Sequence, residues 1–145
     1  RAASLAALIG FNVHDFIDGL AIGAGVLTST SLGVLIFVSI LAHEVPAGFA
    51  VGSVMRGAGF GRKSSMLAAA SIGVITLVAI PISFFIGSVN DTLRSAFIAL
   101  AAGTFIYIAA SDLIPAASPA RSRNAFLFVL LGFALFYVSQ QLIGE

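Results

Sequence analysis

Long apolar runs, separated by short polar or glycine-rich breaks, make up most of the sequence. Five of them reach the roughly 20 residues that a helix needs to cross a hydrocarbon core about 30 Å thick. They cover 4–27, 32–55, 65–87, 91–114 and 124–143, with breaks at 28–31, at the basic, glycine-rich 56–63, at 88–90, and at 115–123, which contains Pro119. Asp91 and Asn124 each stand just ahead of an apolar run and are read as N-caps. The alternating segments of about ten residues that build a membrane β-barrel are missing. The expected fold is therefore all-α: a polytopic transmembrane helix bundle of five spans, forming a single transmembrane domain over 1–145.

Composition narrows the class further. Of 145 residues, 59% are apolar and 9% charged, against roughly 25% charged in an ordinary soluble domain. A water-soluble fold is excluded. The absence of cysteine removes disulfide frameworks, thiolate metal sites and cysteine nucleophiles. A net charge of +1 without a basic block gives no footprint for nucleic acid. The chain begins at Arg1 with no signal-peptide pattern, and is expected to be a fragment or a processed product. Five antiparallel helices would gather Arg1, Arg56, Arg62, Lys63, Arg121 and Arg123 on one side and leave Arg94 opposite. The positive-inside rule makes that side, with the amino terminus, cytoplasmic.

The chemistry is concentrated in the first two spans, where Asp15, Asp18, Glu44, His14 and His43 fall inside apolar sequence. An Asp at a helix centre costs roughly 2.5 to 3.5 kcal/mol on insertion scales, so these groups must find partners or water. At 1.5 Å per residue, His14 and His43 lie about 15 and 16 Å from opposite faces, near the midplane. His14 and Asp18 are i and i+4 on one face; Asp15 is about 100° around, and His43 and Glu44 are adjacent. Two such helices in contact converge two imidazoles and three carboxylates. A purely internal polar cluster or a proton relay would use the same groups, but a set dominated by acids repels itself without a cation. Imidazole nitrogen with carboxylate oxygen suits Zn2+, and also Fe2+, Mn2+ or Cd2+.

Pro46 lies mid-helix beside this pair and disturbs the bond to the Ala42 carbonyl, which predicts a kink. Gly19 with Gly23, and Gly48 with Gly52, have GxxxG spacing and are expected to bring the helices close. Ser71, Tyr107, Gln140 and Gln141 are read as interhelical hydrogen-bonding groups, and Asp112 as a solvated interfacial acid. His43-Glu44 is not the start of an H-E-x-x-H protease motif, since position 47 is Ala, and no phosphate loop or nucleophile elbow is present. No enzyme activity and no cofactor are expected.

The run from His14 through Asp18-Gly19 to Gly23 resembles the fourth-helix signature H-N-x-x-D/E-G of ZIP (Zrt/Irt-like) metal transporters, and His43-Glu44-Val45-Pro46 resembles their fifth-helix H-E-x-P. The stretches 101–107 and 111–115 are similar to the seventh-helix pattern. The resemblance covers nearly the whole chain and implies the carboxy-terminal five of eight helices, without the first three. It implies a multi-pass protein of the plasma or inner membrane that takes up divalent transition metal, most of all zinc, into the cytoplasm. Members often form homodimers. By position, His14, Asp18 and His43 would be ligands of a primary site, with Asp15 and Glu44 at a neighbouring one and Asp18 bridging.

Two positions depart from the pattern: Asp15 replaces the usual Asn, adding negative charge, and Ala47 stands where Glu or His is common, leaving a more open site. The third span lacks the carboxylate that some members place there. Access would alternate by movement of the first two helices. The competing expectation is a non-transporting membrane protein whose metal or ion cluster is structural.

Overall fold

The structure, a computed structural model, describes residues 1–114 and 123–143. Five α-helices account for nearly all of it: α1 (Ala2–Thr28), α2 (Thr30–Gly57), α3 (Arg62–Gly87), α4 (Asp91–Ile108) and α5 (Arg123–Ile143), with a π-helical turn, Ala109–Leu113, continuing α4. No strand occurs among the described residues. Lipid offers the backbone no hydrogen bonds, and a helix satisfies its own. Four helices are long and apolar enough to cross a membrane; the apolar part described for α5, Val129–Leu142, is shorter. The protein is a helical membrane bundle, and its outer surface carries large apolar side chains such as Phe49 and Phe85. Residues 115–122 of the expected break, with Pro115, Pro119 and Arg121, lie outside the described residues, as do Glu145 and the side chains of Asp112 and Arg123.

The connections explain the packing. A single extended residue, Ser29, joins α1 to α2, and its hydroxyl caps α2 by accepting from the Leu32 N–H at 3.1 Å. Gly25 and Gly33 allow this hairpin to close, since a Cβ at Gly33 would collide with Val26. At the other end, Gly59 turns the chain with φ +83, a conformation that favours glycine. Arg1 ties α1 to this turn, donating to the carbonyls of Ala58 (3.4 Å) and Gly59 (3.1 Å) and lying over the Phe60 ring. Before α4 the cap is Asn90, not Asp91: the Asn90 Oδ1 accepts from the Leu93 N–H at 3.0 Å, while Asp91 sits in the first turn and pairs with Arg94 at 3.0 Å. Asn124 falls inside α5 rather than ahead of it.

The small residues pair the helices differently from the expectation. Gly19 and Gly23 of α1 pack on α3, not α2: a Cβ at Gly19 would collide with the Thr76 carbonyl and lie 2.6 Å from the Ala79 Cβ, and one at Gly23 would lie 2.8 Å from Ser83. Two hydrogen bonds lock the same seam, from Thr76 Oγ1 to the Asp15 carbonyl (3.2 Å) and from Ser83 Oγ to the Leu20 carbonyl (2.6 Å). Because the hairpin already holds α1 to α2, the close-approach face of α1 is left for α3. An apolar cluster of Val51, Met55, Ala68 and Ile72, flanked by Leu8, Phe11, Ala47 and Phe60, fills the space among α1, α2 and α3. Pro46 is accommodated within an unbroken α2. Ser71 bonds back to its own helix at Ala68 (2.8 Å), and Tyr107 and Gln141 are exposed, so none of the three bridges helices among the described residues.

Candidate metal centre

His14 and Asp18 stand one helical turn apart near the middle of α1, and His43 comes to them from the middle of α2. The His43 Nε2 lies 3.1 Å from the Asp18 Oδ2, and the His14 Nε2 lies 3.5 Å from the same oxygen. The two imidazole rings are 5.6 Å apart. Asp15, held by the Thr76 bond to its carbonyl, completes a group in which one ligand atom from each of His14, Asp15, Asp18 and His43 lies within 4.8 Å of all the others. Asp15 and Asp18 are fully buried.

Glu44 stands outside this tight group. Its Oε1 instead lies toward α3, 3.5 Å from where a Cβ on Gly73 would be. The expected convergence of all five side chains is thus four side chains on one point and a carboxylate beside them. Ala47 packs in the apolar cluster and offers no ligand.

Every buried side-chain polar atom without a partner among the described residues belongs to these five: His14 Nδ1, both oxygens of Asp15, Asp18 and Glu44, and His43 Nε2. Such groups are costly in a dry interior unless something bonds them. The His43 Nδ1 faces the Ser39 carbonyl at 3.2 Å. A carbonyl only accepts, so Nδ1 carries the hydrogen and, in a neutral ring, Nε2 presents a lone pair. That lone pair points at a carboxylate oxygen. Two acceptors 3.1 Å apart attract only if a proton or a cation lies between them.

The donor set fits a first-row divalent ion. A tetrahedral ion bound at about 2.1 Å separates its ligand atoms by about 3.4 Å, so the four close on one ion with movements on the order of 1 Å. The Ser39 carbonyl supplies the outer hydrogen bond that orients a ligating imidazole.

One residue of the site was not anticipated. Phe105 of α4 meets both imidazoles edge to face, with ring centroids 5.8 Å from His14 and 5.1 Å from His43. An apolar residue in an apolar span gives no signal of its own; only its place in the 101–107 stretch marked the region. Beside it, a cavity of about 760 Å³ opens between α2, α4 and α5, with His43, Phe105 and Gln140 in its wall.

Comparison with known proteins identifies the family of the chain. Residues 1–140 match the family described as ZIP Zinc transporter. The chain is 30% identical over 139 residues to the human zinc transporter ZIP6, covering 88% of this chain and 18% of that protein. It is 31% identical over 126 residues to the zinc transporter foi of Drosophila melanogaster (86% and 18%), and 33% over 106 residues to the zinc transporter zipt-7.2 of Caenorhabditis elegans (70% and 23%). No solved structure matches it. The chain spans about a fifth of the length of the curated relatives it matches. With the family's match running over nearly every helix, this chain belongs to the ZIP zinc transporter family.

Proposed function

We propose that the protein carries a divalent transition-metal ion, zinc foremost, across the membrane toward the cytoplasm, with His14, Asp15, Asp18 and His43 as its ligands at the bilayer midplane and Glu44 as a neighbouring carboxylate. The observation that carries this reading is the gathering of the unpartnered buried side-chain polar atoms, among the described residues, around two helices long and apolar enough to cross a membrane. The names of the relatives favour zinc, and Fe2+, Mn2+ and Cd2+ suit the same donors. The protein then lies in the plasma or inner membrane as a multi-pass component, and a homodimer is its proposed assembly. No covalent step is involved, so no enzyme activity is proposed.

The orientation of the bundle is supported by charge. Arg1 is bonded to the α2–α3 turn, which places it at the same end as Arg56, Arg62 and Lys63, whereas Arg94 bonds the Gly87 carbonyl at the other end. By the positive-inside rule the first end faces the cytoplasm. Asp18, between the two imidazoles, supplies the negative charge that offsets the ion's desolvation. Access to the site would alternate by movement of α1 and α2, and Phe105 of α4, in edge contact with both imidazoles, packs against the helices that move.

The test is zinc entry into proteoliposomes loaded with a zinc-responsive dye. The purified protein is expected to admit zinc, and His14→Ala and His43→Ala to abolish entry; uptake unchanged in both variants refutes the proposal. Chelation addresses the structural-cluster alternative. A cargo ion exchanges readily and leaves the fold standing, whereas removal of a structural metal lowers the melting temperature sharply.

A further inference from the structure

A second recess, unrelated to the metal centre, lies between α2 and α3. It encloses about 850 Å³, is lined chiefly by apolar atoms, and has Arg56 and Arg62 at one end. From Arg56 it follows α2 down to Val45, eleven residues or about 16 Å of helix. That is the depth of one leaflet of a hydrocarbon core about 30 Å thick.

Two glycines form its floor, and helix packing does not account for them. A Cβ at Gly48 would meet the Ile72 Cδ1 at 3.9 Å, and one at Gly52 the Ala69 Cβ at 3.8 Å, both ordinary contacts. Gly19 and Gly23 allow helices to touch, but Gly48 and Gly52 leave an open channel between Phe49 and Met66, which are 75% and 62% exposed.

The mouth is cationic and uncompensated. No Asp or Glu occurs between Glu44 and Asp91, and neither Arg56 nor Arg62 pairs with a carboxylate among the described residues. Arg56 gives one N–H to the Phe60 carbonyl at 3.2 Å, which leaves most of its donors facing outward. Lys63 adds a further positive charge beside them.

We propose that this recess binds an anionic phospholipid, its phosphate between Arg56 and Arg62 and one acyl chain along the Gly48–Gly52 floor. Guanidinium groups recognise phosphate oxygens in bidentate fashion, and basic recesses between membrane helices suit acidic head groups. A free phosphate has no use for an apolar channel one leaflet deep. A zwitterionic lipid brings a choline that the two arginines repel.

Native mass spectrometry of the purified protein, titrated with dioleoyl phosphatidylglycerol or dioleoyl phosphatidylcholine, tests this. Phosphatidylglycerol is expected to bind more tightly, and its preference to fall roughly fivefold with Arg56→Gln or Arg62→Gln and about thirtyfold with both. Gly52→Leu, which fills the channel while keeping both arginines, is expected to weaken phosphatidylglycerol binding as well. Equal binding of the two lipids by the unaltered protein, or a preference that survives the double substitution, overturns the proposal. A nitroxide attached to a single thiol at Met66→Cys reports the occupant directly in bilayers. Oxygen accessibility at the level of lipid supports it, and a label immobilised and shielded, as beneath another protein segment or a second copy, overturns it.

Discussion

Gly19→Ala adds one methyl group at the seam between α1 and α3, next to Asp18. The new Cβ would collide with the Thr76 carbonyl and lie 2.6 Å from the Ala79 Cβ, where carbon atoms prefer about 3.5 to 4.0 Å. Relief requires α3 to retreat by about 1 Å, since a backbone carbonyl cannot rotate aside. Overpacking of this kind costs about 1–3 kcal/mol, and the rigid obstacle puts Gly19→Ala toward the upper end. Replacing glycine by alanine in a helix returns about 1 kcal/mol of propensity, so the net loss is about 1–2 kcal/mol. Gly10→Ala is the control: a Cβ there meets nothing within 4 Å, and only the propensity gain remains. The assay is thermal unfolding in detergent of both variants beside the parent, with and without zinc. Gly19→Ala should melt lower and Gly10→Ala at or above the parent. The Asp15 carbonyl bond to Thr76 crosses the same seam, so Gly19→Ala should also bind zinc more weakly. Equal melting temperatures for the two variants would refute the assigned helix contact.

Three further outcomes follow from the same geometry. Asp18→Asn keeps the volume of a fully buried side chain and removes its charge; zinc affinity by calorimetry should fall by at least about 100-fold, while the metal-free protein melts no lower, because an unpartnered buried carboxylate is itself costly. Phe105→Ala removes both edge-to-face contacts with the imidazoles, each worth about 0.5–1.5 kcal/mol, and should weaken zinc binding about fivefold or more; affinity within twofold of the parent would contradict its orienting role. Ser83→Ala deletes the 2.6 Å bond to the Leu20 carbonyl and should lower stability by about 0.6–1.5 kcal/mol in the same melting assay.

Much of the candidate site is legible in the sequence because its signals are local. His14 and Asp18 share a helix face by spacing alone, and charged groups inside apolar spans announce themselves through their insertion cost. What could not be read depends on how helices choose neighbours. Both α1 and α2 carry GxxxG glycines, and nothing in their spacing says that the α1 pair meets α3; the one-residue hairpin at Ser29 decides it. Glu44 illustrates a different limit. Its type and position suit a ligand as well as those of Asp15 do, yet Glu44 lies toward Gly73 while Asp15 joins the group; each directly follows a histidine, so the step of about 100° between neighbours does not tell them apart. Asn90 and Asp91 are both good caps by type, and the extended backbone at Asn90 selects the former. Phe105 was silent because an aromatic ring that orients a ligand looks, in sequence, like one that faces lipid.

The Ser39 carbonyl that fixes the His43 ring belongs to the main chain. Every amino acid brings the same oxygen to position 39, so the orientation of this imidazole is insured against point substitution there. Only bending or unwinding α2 can take that acceptor away, and the site is thereby coupled to the shape of its helix rather than to the identity of a second side chain.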